Sequence, residues 1–253
     1  ERPHDIASLA KHRDYQMDMR DLERVVDKKT KLIAIALVSN VNGYVHDVKA
    51  ISDLAHARGA YLYCDVIQMA GATPIDVKAM GIDFLACSAY KFLQGGRFGY
   101  LYVREDLQGT PLKAKLFGGR STPTGASRYE ISTVSHLGCV CQHQALQYIH
   151  AIGVDKIAAH ARPLIERLMK ELPAAGYPTI TPKGSPSSIA SFQMKDAAAT
   201  RAKLKAANVI VTTGGNMRVS VSVFNNMADV DRLKQLAVPG ARLLLKSNFV
   251  FDA

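Results

Sequence analysis

Apolar positions fall in several different patterns along the chain, and each predicts an element. Residues 31–38 form a nearly continuous apolar run, Leu32-Ile33-Ala34-Ile35-Ala36-Leu37-Val38 behind Lys31. Such a run predicts a strand buried on both faces of a parallel sheet. Residues 47–58 put Val48, Ile51, Leu54 and Ala55 on one face, with Asp47 as cap and Gly59 as stop, which predicts an amphipathic helix. A shorter helix is expected at 21–27, with Leu22, Val25 and Val26 together. Residues 60–64 and 83–87 predict two more buried strands, and 99–103 a fourth after a glycine-bearing turn. Strands alternating with helical segments predict an α/β sheet.

Beyond residue 108 the texture changes. Residues 109–127, rich in Gly, Pro, Thr and Ser, read as a long loop. Helices are expected at 136–152 and 155–175, the second kinked or interrupted at Pro163. A compact α+β tail follows: a strand at 189–194, a helix at 197–207, strands at 209–212 and 218–223, and a helix from about Met227 capped by Asn225 or Asn226. A domain boundary is therefore placed between residues 145 and 180, dividing 1–150 from a small C-terminal domain, 151–253. There is no internal repeat or low-complexity segment.

Composition narrows the class. With 48% hydrophobic and 21% charged residues, the chain is too apolar to be disordered. No apolar run approaches the roughly 18 residues of a membrane span. Four irregularly spaced cysteines point to a reducing compartment, and so to the cytoplasm. Glu1-Arg2-Pro3-His4-Asp5 has no apolar stretch behind it, so no secretory leader is expected. The net charge of +10 comes from scattered basic residues, the densest being Lys28, Lys29 and Lys31. That fits a solvated basic surface better than a nucleic-acid arm.

Three strand ends carry candidate chemistry. Ser88-Ala89-Tyr90-Lys91 follows the third strand, at the sheet edge where ligands bind. A lysine there, partly desolvated and near other cations, can lose its proton and form a Schiff base with an aldehyde; the plainer reading is a surface lysine in a loop. Asp65 ends the second strand, where a carboxylate needs a cationic partner; a protonated pyridine nitrogen would serve. Gln68 could donate to a phenolic oxygen on the same ring, or Asp65 could cap a following helix with Gln68 exposed on it. The first strand ends in Ser39-Asn40-Val41-Asn42-Gly43, where Asn40 could hydrogen-bond a cofactor or a carboxylate, or simply sit in an Asn-Gly turn.

The order of these pieces, strand–Ser-Asn, strand–Asp-x-x-Gln, strand–Ser-x-x-Lys, resembles the class V aminotransferases. These include cysteine desulfurases, selenocysteine lyases and isopenicillin-N-epimerase-like proteins, all fold-type-I pyridoxal-phosphate enzymes. Further matching text is Asp53-Leu54-Ala55-His56-Ala57-Arg58-Gly59-Ala60, Cys64-Asp65-Val66-Ile67-Gln68, Asp83-Phe84 and Gly99-Tyr100-Leu101-Tyr102-Val103. The resemblance runs from about residue 14 to 237. It implies a mostly parallel sheet with a small C-terminal α+β domain, pyridoxal 5'-phosphate as cofactor, and an amino-acid substrate. It implies Lys91 as the Schiff-base lysine and proton shuttle, Asp65 on the pyridine nitrogen, Gln68 on the phenolic oxygen, and Ser88 on the phosphate. Tyr90 stands where the family usually has His and could also reach the phosphate. Thr133, in Arg128-Tyr129-Glu130-Ile131-Ser132-Thr133, would reach the phosphate of a neighbouring subunit, implying a homodimer with shared sites. Arg218, in Arg218-Val219-Ser220, would clamp the substrate carboxylate.

Two departures qualify what the resemblance implies. Desulfurases carry a nucleophilic Cys shortly before the arginine strand, whereas residues 209–217 contain none; the cysteines are Cys64, Cys87, Cys139 and Cys141. Aminotransferase or β-lyase chemistry is therefore expected, or epimerisation, rather than persulfide formation. The family's first strands, phosphate-binding turn and ring-stacking residue have no counterpart ahead of Asn40. The chain thus reads as lacking the N-terminal part, as a fragment or a shortened, non-catalytic paralogue. A metal site at His136, Cys139, Cys141 and His143 is not expected, since the spacing is not that of structural zinc. Neither nucleic acid nor membrane is expected as a partner.

Overall fold

The computed structural model describes residues 16–91, 98–108, 125–129 and 133–237. Most of the expected loop at 109–127, and Glu130, Ile131 and Ser132, lie outside these. Two compact units emerge: one holds the residues up to Ser39 and Val45–Lys156, the other Asn40–Tyr44 and the residues from Ile157 on.

The first unit begins with α1 (Met19–Val25), whose cap Asp18 accepts a hydrogen bond from the Arg20 N–H at 2.9 Å. Then come β1 (Leu32–Ala36), α2 (Val48–Ala57), β2 (Tyr61–Asp65), β3 (Phe84–Ser88), β4 (Gly99–Val103) and α3 (His136–Ile152). Asp47 caps α2 as its sequence suggests, accepting from the Ala50 N–H at 3.0 Å. The sheet order is β1-β2-β3-β4, with β1, β2 and β3 parallel and β4 antiparallel to β3. This is the mostly parallel α/β sheet that the sequence pattern predicts. Helix α2 makes the first crossover and packs on β2, but the β2–β3 connection contains only turns. Because three strands run the same way, their carboxyl ends share one edge.

Burial of β1 differs from expectation. Ile33 is buried, but Leu32 is 51% exposed and Ala34 and Ala36 are exposed too. Strand alternation and register put Leu32, Ala34 and Ala36 on one face with Tyr63, Ala86 and Leu101, itself 56% exposed. The opposite face holds Ile33, Leu62 and Cys64, all buried. Only one side of the sheet is thus covered by described elements.

At the start of β3, Asp83 is fully buried and heavily bonded. Its Oδ2 accepts from the Leu62 N–H at 2.7 Å and lies 2.8 Å from His56 Nε2. Its Oδ1 accepts from Arg104 Nη1, and its carbonyl accepts from the Arg104 N–H at 2.9 Å. One carboxylate thus joins α2, β2, β3 and the end of β4.

The second unit contains most of α4 (Val154–Ala174), then β5 (Ile189–Phe192), α5 (Ala197–Ala206), β6 (Thr212–Thr213), β7 (Met217–Ser220) and α6 (Met227–Ala237). The strands form an antiparallel sheet of order β5-β7-β6, with a core that includes Leu168, Leu172, Phe192, Leu204, Met217 and Leu233. Helix α4 runs through Pro163 rather than stopping there. Pro163 and Ala159 both lie on its exposed side, so water can serve the carbonyl that loses its donor. The strand expected at 209–212 shrinks to β6, because the Val209 N–H is used to close α5 on the Leu204 carbonyl, at 2.9 Å, and Ile210 is 93% exposed. Asn226 caps α6, accepting from the Ala228 N–H at 2.8 Å.

Asn40–Tyr44 belong to this unit by their bonds. Ser191 Oγ donates to the Val41 carbonyl at 2.6 Å, Ser185 Oγ to the Gly43 carbonyl at 2.6 Å, and Asn42 Nδ2 to the Ile180 carbonyl at 3.3 Å. Gly43 has φ +71°, and a Cβ there would fall 2.3 Å from the Ile189 carbonyl oxygen. Both the conformation and the close approach require glycine.

Candidate active site

Within the first unit, Asp65, Gln68, Ser88, Tyr90 and Lys91 all fall at the carboxyl edge of the parallel strands. Register places Asp65 beside Ala86, so Asp65 and Ser88 project from the same face of neighbouring strand ends. Lys91 ends a single 3₁₀ turn, Ala89–Lys91, that continues β3 without a break. The Ala89 N–H anchors that turn by donating to the Phe98 carbonyl at 2.7 Å.

Asp65 is half-buried. Its Oδ1 accepts from the Ile67 N–H at 2.9 Å, closing a local turn. No helix follows, so the helix-cap reading of Asp65 and Gln68 does not hold; Gln68 lies in a turn, half-buried. Its second oxygen has no partner, and no cation pairs with Asp65, among the described residues. The charge is felt nearby: burial first, then the Asp65 carboxylate, push the Cys87 thiol and the Tyr63 phenol above their ordinary values. An uncompensated carboxylate at a ligand-binding edge is what a protonated ring nitrogen would satisfy.

Lys91 is exposed, with Nζ 5.8 Å from the Tyr90 ring centroid. The partial desolvation expected of it is not met among the described residues; the segment after it, 92–97, lies outside them. Tyr90 is 51% exposed and Ser88 half-buried. Thr133 is exposed just before α3. Of the cysteines, Cys64 is buried and its thiol is pushed up to about 12 by burial and then by Asp83, whereas Cys141 is exposed on α3. Among the described residues, no three His, Cys, Asp or Glu side chains are gathered to hold a metal. Nor is any described helix long and apolar enough to cross a membrane.

Within the second unit, Arg218 on β7 donates through Nη1 to the Asn40 carbonyl and through Nη2 to Thr212 Oγ1 at 3.1 Å. So the structure joins Asn40 to Arg218, but through the Asn40 main chain. Its exposed side chain has no partner among the described residues. Sequence reasoning did not single out Thr212, Ser185 or Ser191, since an isolated hydroxyl carries no motif.

The residues present suit pyridoxal phosphate by donor chemistry. A carboxylate with a spare oxygen stands for the ring nitrogen, an amine for the aldehyde, and a serine hydroxyl for the phosphate. Comparison with known proteins points the same way. A probable cysteine desulfurase of Borreliella burgdorferi is 30% identical over 165 residues, covering 60% of this chain and 39% of that protein. A cysteine desulfurase of Dickeya dadantii is 32% identical over 177 residues, covering 66% of this chain and 42% of that protein. An uncharacterized aminotransferase of Bacillus subtilis is 31% identical over 159 residues, covering 60% and 43% respectively. The chain therefore spans less than half the length of these relatives. Among solved structures, the cysteine desulfurase of Thermococcus onnurineus superposes with a TM-score of 0.79 at 25% identity, covering 88% of this chain and 62% of that one. The sequence pattern of the family described as aminotransferase class-V extends over residues 2–233. The chain belongs to that family, whose cofactor is pyridoxal phosphate.

Proposed function

We propose that this chain carries the lysine-bearing part of an enzyme that transforms an amino acid by transamination or β-elimination, and not by persulfide formation. The observation that carries the reading is Asp65, whose spare, uncompensated oxygen lies one strand away from the turn bearing Lys91. Bound pyridoxal phosphate supplies an electron sink for the bond broken at the substrate Cα. The Asp65 carboxylate would hold a proton on the ring nitrogen. Lys91 Nζ would take the Cα proton and return it, with Gln68 donating to the phenolic oxygen. Ser88 and Tyr90 would hold the phosphate, joined by Thr133 of a second copy. Asn40 would hydrogen-bond the cofactor or substrate, and Arg218 would take the substrate carboxylate.

The relatives named as desulfurases do not carry that reaction to this chain. No cysteine lies in residues 209–217, and a thiol buried like Cys64, with its pKa near 12, forms almost no thiolate at neutral pH. A homodimer is in keeping with α3, where Leu137 is 75%, Val140 61% and Tyr148 56% exposed along one stripe. Four unpaired cysteines are in keeping with the cytoplasm.

The test is an assay of the protein, supplied with pyridoxal phosphate, on a panel of L-amino acids including cysteine. Oxo-acid formation, with or without ammonia release, is the expected result. Sulfane sulfur carried on a protein cysteine after incubation with L-cysteine would overturn the proposal.

A further inference from the structure

Arg218 is tethered unlike the arginines paired to acids. Arg20 sits against Asp18, Arg104 against Asp83 and Asp106, and Arg167 against Glu171 and Asp231. Arg218 is held by two neutral acceptors, and no carboxylate among the described residues pairs with it. A guanidinium presents five N–H donors in one plane. One bond at each terminal nitrogen fixes that plane and leaves three donors and the full charge available. One anchor is the Asn40 carbonyl, on a loop itself held by Ser191, Ser185 and the Asn42 side chain. The other is the Thr212 hydroxyl, directly across the β6–β7 ladder from Arg218. Cross-strand partners on one face are close enough for such a bond without rearrangement.

We propose that Thr212 is a positioning residue: its hydroxyl orients the Arg218 fork to receive the α-carboxylate of the amino-acid substrate. This rests on the reading of Arg218 as the carboxylate receptor and adds the residue that aims it. Thr212 is exposed and sits in a two-residue strand, so Thr212→Val keeps its shape and β-branching while removing the hydroxyl that accepts from Arg218.

The test uses the full chain loaded with pyridoxal phosphate, and two oxyamines that discharge the cofactor's visible absorption band. Aminooxyacetate carries a carboxylate; methoxyamine does not. Thr212→Val is expected to raise the half-saturating aminooxyacetate concentration roughly three- to tenfold, the scale of one net hydrogen bond. Thr212→Ser is expected to restore it, and methoxyamine to react alike with all variants. Arg218→Gln separates the two ideas. If Arg218→Gln loses the preference for aminooxyacetate while Thr212→Val keeps it, the role of Thr212 is overturned and the Arg218 reading stands. If Arg218→Gln also keeps it, both fall. Equal changes for both probes in Thr212→Val would also overturn the proposal, since the hydroxyl would then act on the cofactor rather than on a carboxylate.

Discussion

Lys91→Ala is expected to abolish turnover of any amino-acid substrate while leaving the fold intact. The two halves of this expectation have separate physical grounds. Lys91 is exposed at the end of a 3₁₀ turn, and the turn itself is held by the main-chain bond from Ala89 to Phe98. Removing the side chain therefore opens no cavity in the core. Its amine, however, is the group assigned to move the Cα proton. Loss of a positioned acid–base group alone costs about 10²–10⁴-fold in rate, and loss of the covalent anchor adds to it. Rate measurement together with far-UV circular dichroism checks both halves. A variant that turns over at more than a tenth of the wild-type rate, with an unchanged spectrum, would show that another residue serves. Asp65→Asn offers a graded comparison, since it removes the charge but keeps the oxygen that accepts from the Ile67 N–H.

Asp83→Ala is expected to be the most destabilising single change in the first unit. Asp83 is fully buried and receives the Leu62 N–H, His56 and Arg104. Alanine leaves the Leu62 N–H unpaired against a side chain that is itself fully buried. It also frees the Arg104 side chain, although the Arg104 N–H stays on the main-chain carbonyl of residue 83. Breaking a buried charged network by removing one partner costs about 3–5 kcal/mol, against a typical total stability of roughly 5–15 kcal/mol. Denaturant melts should show a large fall in the midpoint with little change in slope. A loss below about 0.5 kcal/mol would mean that His56 and Arg104 gain elsewhere what they lose at Asp83. Because Asp83 lies at the opposite end of β3 from Ser88 and Lys91, this variant should retain cofactor attachment under conditions where it is folded.

These two residues also mark what the sequence can and cannot convey. The position of Lys91 just past a strand was legible because strand ends are punctuated: an apolar run stops, and a serine and a lysine stand three apart at its end. The same logic placed Asp65 at a strand end and predicted the parallel strands, from near-continuous apolar runs. What it missed depends on contacts far apart in the chain. The loop 40–44 reads as an Asn-Gly turn, yet its carbonyls are held by Ser185, Ser191 and Arg218, roughly 140 to 180 residues away. Thr212 becomes notable only because the ladder sets it across from Arg218. Leu32 shows the reverse error, in which composition promised two buried faces and the described elements cover one. Pro163 shows that a helix rule based on a missing N–H yields when the freed carbonyl faces water.

Attachment of the cofactor to Lys91 can be read chemically rather than kinetically. The purified protein is incubated with pyridoxal phosphate, reduced with borohydride, digested and mapped by mass spectrometry. A visible band that borohydride bleaches is expected, with a pyridoxyl group on the Nζ of Lys91 in stoichiometric yield. A protein that stays colourless and unmodified, or carries the label scattered over surface lysines with Lys91 unlabelled, would contradict it.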